Sequence, residues 1–425
     1  MVNNYDYQFR LLKKEVPWVG KVHELPELVK KKQNLAIIQN NPIIHNKTLE
    51  RQKGQDEKYA KILTKKNRIN KIIYDSVLFT KEGITKHAVE EIRELVKRGY
   101  NIKYINDLPR NVDEEKQFLL TLNNNIDIYK DDYFTIINQP PVRWSRSYGL
   151  NNLIGYLAFE GVLIPDWIKI INESPILELW TPSNYCKNQF IKDGIKKPIY
   201  VIPHGVDPEI WKPIETKNND TFKFLWAGTA HVTRKGLDLA VKAFSEEFKE
   251  EGNKVKLKIK SNKIYNTNQD INKLVYQNIV VDGNDNIEIC DEDLKETEFV
   301  NLMNSVDCYV APTRSEGFGI ITLQAIACNT PVITTVTTGH SDFCNEKNCF
   351  IIDCGEEKWA DWHYPYWNTK WKEPSLESLK KQMRKVYDDR NSKIEMNYSD
   401  DIRTNWTWEN TVNKIEERLI ALQKG

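Results

Sequence analysis

The stretch "KIIYDSVLFTKEGITKHAVEEIRELVKRGYNIKYIN" (71–106) decides the fold. Its first nine residues are an apolar run of strand length with several β-branched side chains. Ile84, Val89, Ile92 and Leu95 then recur at helical spacing, and Gly99 is placed to stop the helix. "NIKYIN" reads as a second strand. Strand, glycine turn, helix and strand make one βαβ unit, the repeating element of a parallel sheet covered by helices.

The alternation continues outward. "YFTIINQ" (133–139), "ILELWTPS" (176–183) and "PIYVIPHG" (198–205) read as strands, with helical patterns at 164–173 and 182–192. "VDPEIWKPIETKNND" (206–220) carries two prolines, polar residues and no periodicity, which marks a linker. Strands then resume at "TFKFLWAG" (221–228), "KVKLKIK" (254–260), "NIEIC" (286–290), "VDCYVAP" (306–312), "PVITT" (331–335) and "CFIID" (349–353), with an amphipathic helix at 234–248. The expected architecture is α/β: two Rossmann-like doubly wound parallel-sheet domains facing a central cleft, whose ligands bind at the carboxyl ends of the strands. Residues 71–213 form the first domain and 214–404 the second. "WTWENTVNKIEERLIAL" (406–422) is an amphipathic helix capped by Thr407 or Asn405, within a final segment 405–425 expected to return toward the first domain.

The length of 425 residues suits two cores, and 40% hydrophobic with 28% charged residues is a globular composition. The net charge of +1 calls for neither a nucleic acid nor a membrane in bulk. Charge is uneven, however. Residues 1–71 hold sixteen Lys and Arg against seven Asp and Glu, a difference of +9. This basic N-terminal extension, 1–70, is either a solvated segment or a peripheral contact for anionic membrane or nucleic acid. No signal-like apolar run opens the sequence, and no stretch reaches membrane-spanning length. Seven scattered cysteines without a close pair suggest reduced thiols, so the expectation is a cytoplasmic protein, at most peripheral at the membrane. Cys344, Cys349 and Cys354 repeat every five residues but lack a matching histidine pair for zinc.

The chemistry concentrates in "RSEGFGIITLQAIACNTPVI" (314–333). Strand, polar loop and helix follow one another here. Gly317 and Gly319 let backbone approach a ligand closely, and the free N–H groups near Phe318 suit a phosphate. Glu316 is a poor phosphate ligand by charge but a good acceptor for sugar hydroxyls beside one. Gln324, eight residues on, would lie ~12 Å away were the whole span helical. A dinucleotide fingerprint is disfavoured: position 322 is Thr, and no acidic residue ends "PVITT".

These residues resemble the donor-site signature of glycosyltransferase family 4, retaining enzymes of the GT-B fold. "TPSNYCKNQFIKDGIKKPIYVIPHGVD" (181–207), "GTAHVTRKGLDLAVKAF" (228–244), "WKEPSLESLKKQMRKVYDD" (371–389) and "NWTWENTVNKI" (405–415) agree in order, so the resemblance covers about 71–425. It implies transfer of a sugar from a UDP-sugar or GDP-sugar to a hydroxyl acceptor, with no cofactor or metal required. A glycan or glycolipid is the first choice of acceptor and modified DNA an outsider. Lys235 would neutralise the departing diphosphate, with Gly228 in its loop. Arg234 would replace a family cation otherwise missing at 230–233, although adjacent helical residues do not share a face. Glu316 would hold sugar hydroxyls, the backbone of Gly317, Phe318 and Gly319 the diphosphate, and His340 would line the sugar pocket. Gln324 stands where the family has a second Glu, at the ribose. On the acceptor side the resemblance points to Gly83 and Glu160, with His87 and His204 candidates as bases by type, although His204 in "IPHG" is expected rather to order the linker turn. Two rivals remain open: a metal-dependent transferase using Asp291 and Asp293 in "NIEICDEDL" (286–294), and a catalytically degenerate nucleotide-sugar-binding or scaffold protein of the same fold.

Overall fold

The structure, a computed structural model, describes residues 69–78, 83–105, 116–122, 125–215, 221–228, 233–261, 286–360, 369–391 and 399–424. The basic extension lies outside them.

The first lobe runs β1 (Lys71–Ser76), α1 (Gly83–Lys97), β2 (Asn101–Ile105), α2 (Gln117–Leu120), β3 (Phe134–Asn138), β4 (Leu153–Tyr156), α3 (Pro165–Glu173), β5 (Glu178–Thr181), α4 (Asn184–Asp193) and β6 (Ile199–Val201). Its sheet has the order β2-β1-β3-β4-β5-β6 and every pairing is parallel. Buried on both faces, β3, β4 and β5 read as short apolar runs rather than alternating ones. Helix α1 buries Ala88, Val89, Ile92 and Leu95 against this sheet, and Gly99 ends it with φ +84°. Strand β4, "LIGY", escapes the sequence pattern because it is four residues long and contains Gly155. That glycine is required by packing: a Cβ there would lie 2.6 Å from the ring of Trp144.

The second lobe runs β7 (Phe222–Ala227), α5 (Leu237–Glu247), β8 (Val255–Lys260), β9 (Ile287–Cys290), α6 (Glu296–Asn304), β10 (Cys308–Ala311), α7 (Ile320–Ala327), β11 (Val332–Thr334) and β12 (Phe350–Ile351). An antiparallel hairpin, β13 (Cys354–Trp359) with β14 (Lys370–Pro374), precedes α8 (Leu376–Asp388), α9 (Ser399–Asn405) and α10 (Trp408–Lys424). The sheet order is β12-β11-β10-β7-β8-β9, again parallel throughout. Strand order reverses between β7 and β10, the position at whose carboxyl ends such sheets bind their ligands.

The lobes exchange chain twice. Ile202 belongs to the first lobe's core, whereas Val206 and Trp211 already belong to the second's. The passage therefore precedes most of the polar stretch read as a linker, because two apolar anchors sit among its prolines. The return crossing lies against the first: the Val206 N–H donates to the Trp406 carbonyl at 2.8 Å, and a Cβ on Gly205 would lie 2.4 Å from the Thr407 backbone. Thr407 caps α10 by accepting from the Asn410 N–H at 3.1 Å. The helix then completes the first lobe's core with Val412, Ile415 and Leu419. Arg418 anchors it, donating to both carboxylate oxygens of Glu178 at 3.1 and 2.6 Å over the ring of Tyr200.

Candidate functional site

The loops leaving β7 and β10 carry the expected site residues. Gly228 follows β7 and packs on Trp226, whose indole a Cβ would approach to 2.8 Å. Residues 233–236 then form a turn, not the start of a helix. Gly236 takes φ +71° at the N-cap of α5, where a Cβ would lie 2.0 Å from the Pro312 carbonyl oxygen just past β10. That close approach, with the Arg314 N–H donating to the Arg234 carbonyl at 2.8 Å, sews the two loops together.

The consequence corrects the argument from helical faces. Because 234 and 235 lie on a turn, both cations converge on one carboxylate. Lys235 Nζ pairs with Glu316 Oε1, and Arg234 Nη1 lies 3.4 Å from Glu316 Oε2. Arg234 also donates to the Ser315 carbonyl at 2.7 Å and pairs with Glu160 of the opposite lobe at 2.9 Å. Burial alone would raise the Glu316 carboxyl, but the charges of Lys235 and Arg234 outweigh it and bring it down to about 2.

Arg314, which sequence reasoning missed, holds this arrangement from behind. Its guanidinium donates to Asp238 at 2.8 Å, to Glu373 of β14 at 2.6 Å and to the Thr233 carbonyl, fixing the turn from three sides.

Helix α7 begins at Ile320, with Gly319 at φ +96° as its N-cap. The span 316–319 is therefore loop, and the ~12 Å helical spacing from Glu316 to Gln324 does not apply. Gln324 is buried within α7. Among the described residues no acceptor takes the N–H of Phe318 or Gly319, which leaves those amides for a ligand. The Phe318 side chain points elsewhere, packing on His204, Phe343 and Trp406.

His340 sits over the helix start. A Cβ on Gly319 would lie 2.0 Å from its ring, so the glycine makes room for the imidazole. The ring nitrogens meet the hydroxyls of Thr322 at 3.1 Å and Thr334 at 2.9 Å. Burial lowers His340 to about 4, so it is neutral near pH 7.

The first lobe closes directly on this loop. Ser183 Oγ donates to the Gly317 carbonyl at 2.6 Å, Cys186 Sγ lies 3.3 Å from the same oxygen, and the Asn184 N–H donates to Asp342 at 2.8 Å. Ser315 Oγ donates to the Glu160 carbonyl. Apart from Glu160, these first-lobe partners lie within "TPSNYC", but nothing in their spacing reveals a contact across more than a hundred residues.

Gly83 opens α1, while the loop before it lies outside the described residues. His87 does not line a cleft: it is fully buried, stacked 4.6 Å from His204 and 3.6 Å from Glu91. His204 is likewise buried at the crossing between lobes, lowered to about 3 by that burial. The apolar helical pattern that places position 87 inward is the reason; a polar type on a buried helix face is packed, not presented. Asp291 and Asp293 follow β9, the sheet's edge, two strands from the reversal between β7 and β10. Among the described residues no group of three or more His, Cys, Asp or Glu is placed to hold a metal.

Residues 221–361 match the family model described as glycosyl transferases group 1. The match takes in both site loops, after β7 and after β10, and makes this part of the chain similar to a group 1 glycosyltransferase domain. An uncharacterized glycosyltransferase of Methanocaldococcus jannaschii is 31% identical over 179 residues, which is 39% of this chain and 44% of the relative. A capsular polysaccharide biosynthesis glycosyltransferase of Staphylococcus aureus is 38% identical over 60 residues, 14% of this chain and 16% of the relative. The chain thus spans less than half the length of the curated relatives it matches. Among solved structures, sucrose-phosphate synthase from Thermosynechococcus elongatus superposes with TM-score 0.63 at 13% identity, over 83% of this chain and 99% of that one. Anabaena HepE in complex with UDP-glucose gives 0.60 at 14% identity, over 83% and 99%. The two lobes therefore have the two-lobed GT-B fold expected from the sequence.

Proposed function

We infer that the protein is a retaining, metal-independent glycosyltransferase that moves a sugar from a nucleoside-diphosphate sugar to a hydroxyl acceptor. One observation carries the reading: two cations, a buried carboxylate and unclaimed backbone amides meet at the strand reversal of the second lobe. Lys235 and Arg234 stabilise the negative charge growing on the diphosphate as the sugar leaves. The amides of Phe318 and Gly319, beside Gly317, hold its oxygens at the start of α7. Glu316, ionised at neutral pH, accepts hydrogen bonds from sugar hydroxyls. Neutral His340 shapes the pocket beside it, and Gln324 contributes at the ribose end without the charge a Glu would bring.

Retention places leaving group and acceptor on one face of the sugar. The acceptor proton then passes to the departing phosphate oxygen, so no protein base is required. Several structural relatives are described with UDP or UDP-glucose, which supports a nucleotide-sugar donor, UDP-linked or GDP-linked. A glycan or glycolipid is the acceptor we favour.

The test is release of free nucleotide from a panel of UDP- and GDP-sugars, with and without chelator. Release that survives chelator and disappears in Glu316→Ala is the expected result. Binding without release by the wild-type protein would favour a degenerate binder instead, and loss of activity on chelation would restore the metal-dependent reading.

A further inference from the structure

The site carries a balance of charge that the reaction must disturb. Arg234 and Lys235 face Glu316 and Glu160, two positive charges against two negative. The diphosphate of a nucleotide sugar adds about two more negative charges, which the same cations have to meet. One carboxylate must therefore give way, and the two are not equivalent. Glu316 is tied to both cations and packed within the second lobe. Glu160 comes from the first lobe, and among the described residues Arg234 is the only ion-pair partner of its carboxylate.

The backbone around Glu160 is fixed independently of that side chain. Its carbonyl accepts from Ser315 Oγ, and Gly161 fits so closely against Thr369 that a Cβ would lie 2.5 Å from the threonine hydroxyl. The carboxylate can thus swing while the main chain stays in place. Its side chain keeps 18% of its surface open, against 6% for Arg234, so it has somewhere to go.

We propose that Glu160 is a gate displaced by the donor. It occupies Arg234 while the site is empty, yields that guanidinium to the incoming diphosphate, and then accepts a hydrogen bond from the acceptor hydroxyl that attacks the sugar. Donor binding thereby precedes productive acceptor binding. In the transfer itself the bond from the sugar's anomeric carbon to phosphate breaks, the bond from that carbon to the acceptor oxygen forms, and the hydroxyl proton leaves on the phosphate. Glu160 orients the hydroxyl without taking its proton. This inference rests on the nucleotide-sugar reading above.

The decisive measurement is UDP and GDP affinity by titration calorimetry for the wild type, Glu160→Gln and Glu160→Ala. Removing the competitor for Arg234 should tighten binding of the recognised nucleotide about tenfold in both variants. In an Arg234→Gln background the same substitutions should have no effect. Affinity unchanged or weakened in the Glu160 variants would overturn the gate while leaving the nucleotide-sugar reading intact. Failure of the wild type to bind either nucleotide would instead remove that reading, and the gate with it. A wild-type structure with the nucleoside diphosphate bound gives an answer independent of any variant: Glu160 should be more than about 4 Å from Arg234, beyond ion-pair range, and an intact pair would refute the proposal.

Discussion

Gly319→Ala and Gly317→Ala alter two glycines of one motif, yet the structure assigns them opposite outcomes. At Gly319 φ is +96°, and a Cβ would lie 2.0 Å from both Cδ2 and Nε2 of His340. A non-glycine residue in that backbone region costs about 1–2 kcal/mol. The ring is almost fully buried and held by Thr322 and Thr334, so moving it adds the usual overpacking penalty of about 1–3 kcal/mol. The sum is about 2–5 kcal/mol. At Gly317 the nearest atoms to a Cβ are Phe159 N at 3.6 Å and Cys186 Sγ at 3.7 Å, ordinary contact, with no positive φ. That substitution should stay within about 0.5 kcal/mol. Urea unfolding followed by tryptophan fluorescence reads both as shifts of midpoint at constant slope. His340→Ala combined with Gly319→Ala separates the two causes, since the ring overlap disappears while the backbone strain remains. The double variant should then be less destabilised than the sum of the singles by about 1–3 kcal/mol. Equal stability of the Gly319 and Gly317 variants would refute the reasoning.

Two further expectations concern the junction of the lobes. His204 is lowered from 6.5 to about 3 by burial, so the unfolded chain binds a proton that the folded one refuses. Its contribution to stability is full above pH 6.5 and lost as pH falls toward 3; Glu91, raised to about 8 by burial, works in the opposite sense between pH 4.5 and 8. His204→Phe should flatten the decline of melting temperature between pH 6.5 and 4, and an unchanged slope would show that His204 is not its source. Ile415→Ala, at a fully buried position of α10, should cost about 2–5 kcal/mol in denaturant unfolding, and a loss below about 1 kcal/mol would contradict the helix's place in the first lobe's core.

The order of strands and helices was legible because parallel sheets demand apolar runs separated by amphipathic helices, and nearly all of these runs became elements. The hairpin β13–β14 was not legible: its first strand is almost wholly exposed and shows no apolar alternation. The motif at 314–319 could be read because glycine and carboxylate types carry chemistry in themselves. The convergence of Arg234 and Lys235 could not, because it depends on Gly236 meeting the Pro312 carbonyl, a contact made by the fold rather than by spacing. His87 misled for the complementary reason. Residue type suggests a base, but only packing shows that the His87 ring is sealed in the core, whereas His204 lies at the lobe crossing, in keeping with a role in its turn.

The return of α10 to the first lobe bears on how the chain matures during synthesis. The lobe that begins near residue 70 lacks Val412, Ile415 and Leu419 until some two hundred later residues have been translated. At about 5–20 residues per second, that is roughly 10–40 s during which a half-finished domain waits on the ribosome with apolar surface uncovered. Apolar surface left open for that interval is the kind of surface on which nascent chains aggregate and which chaperones cover.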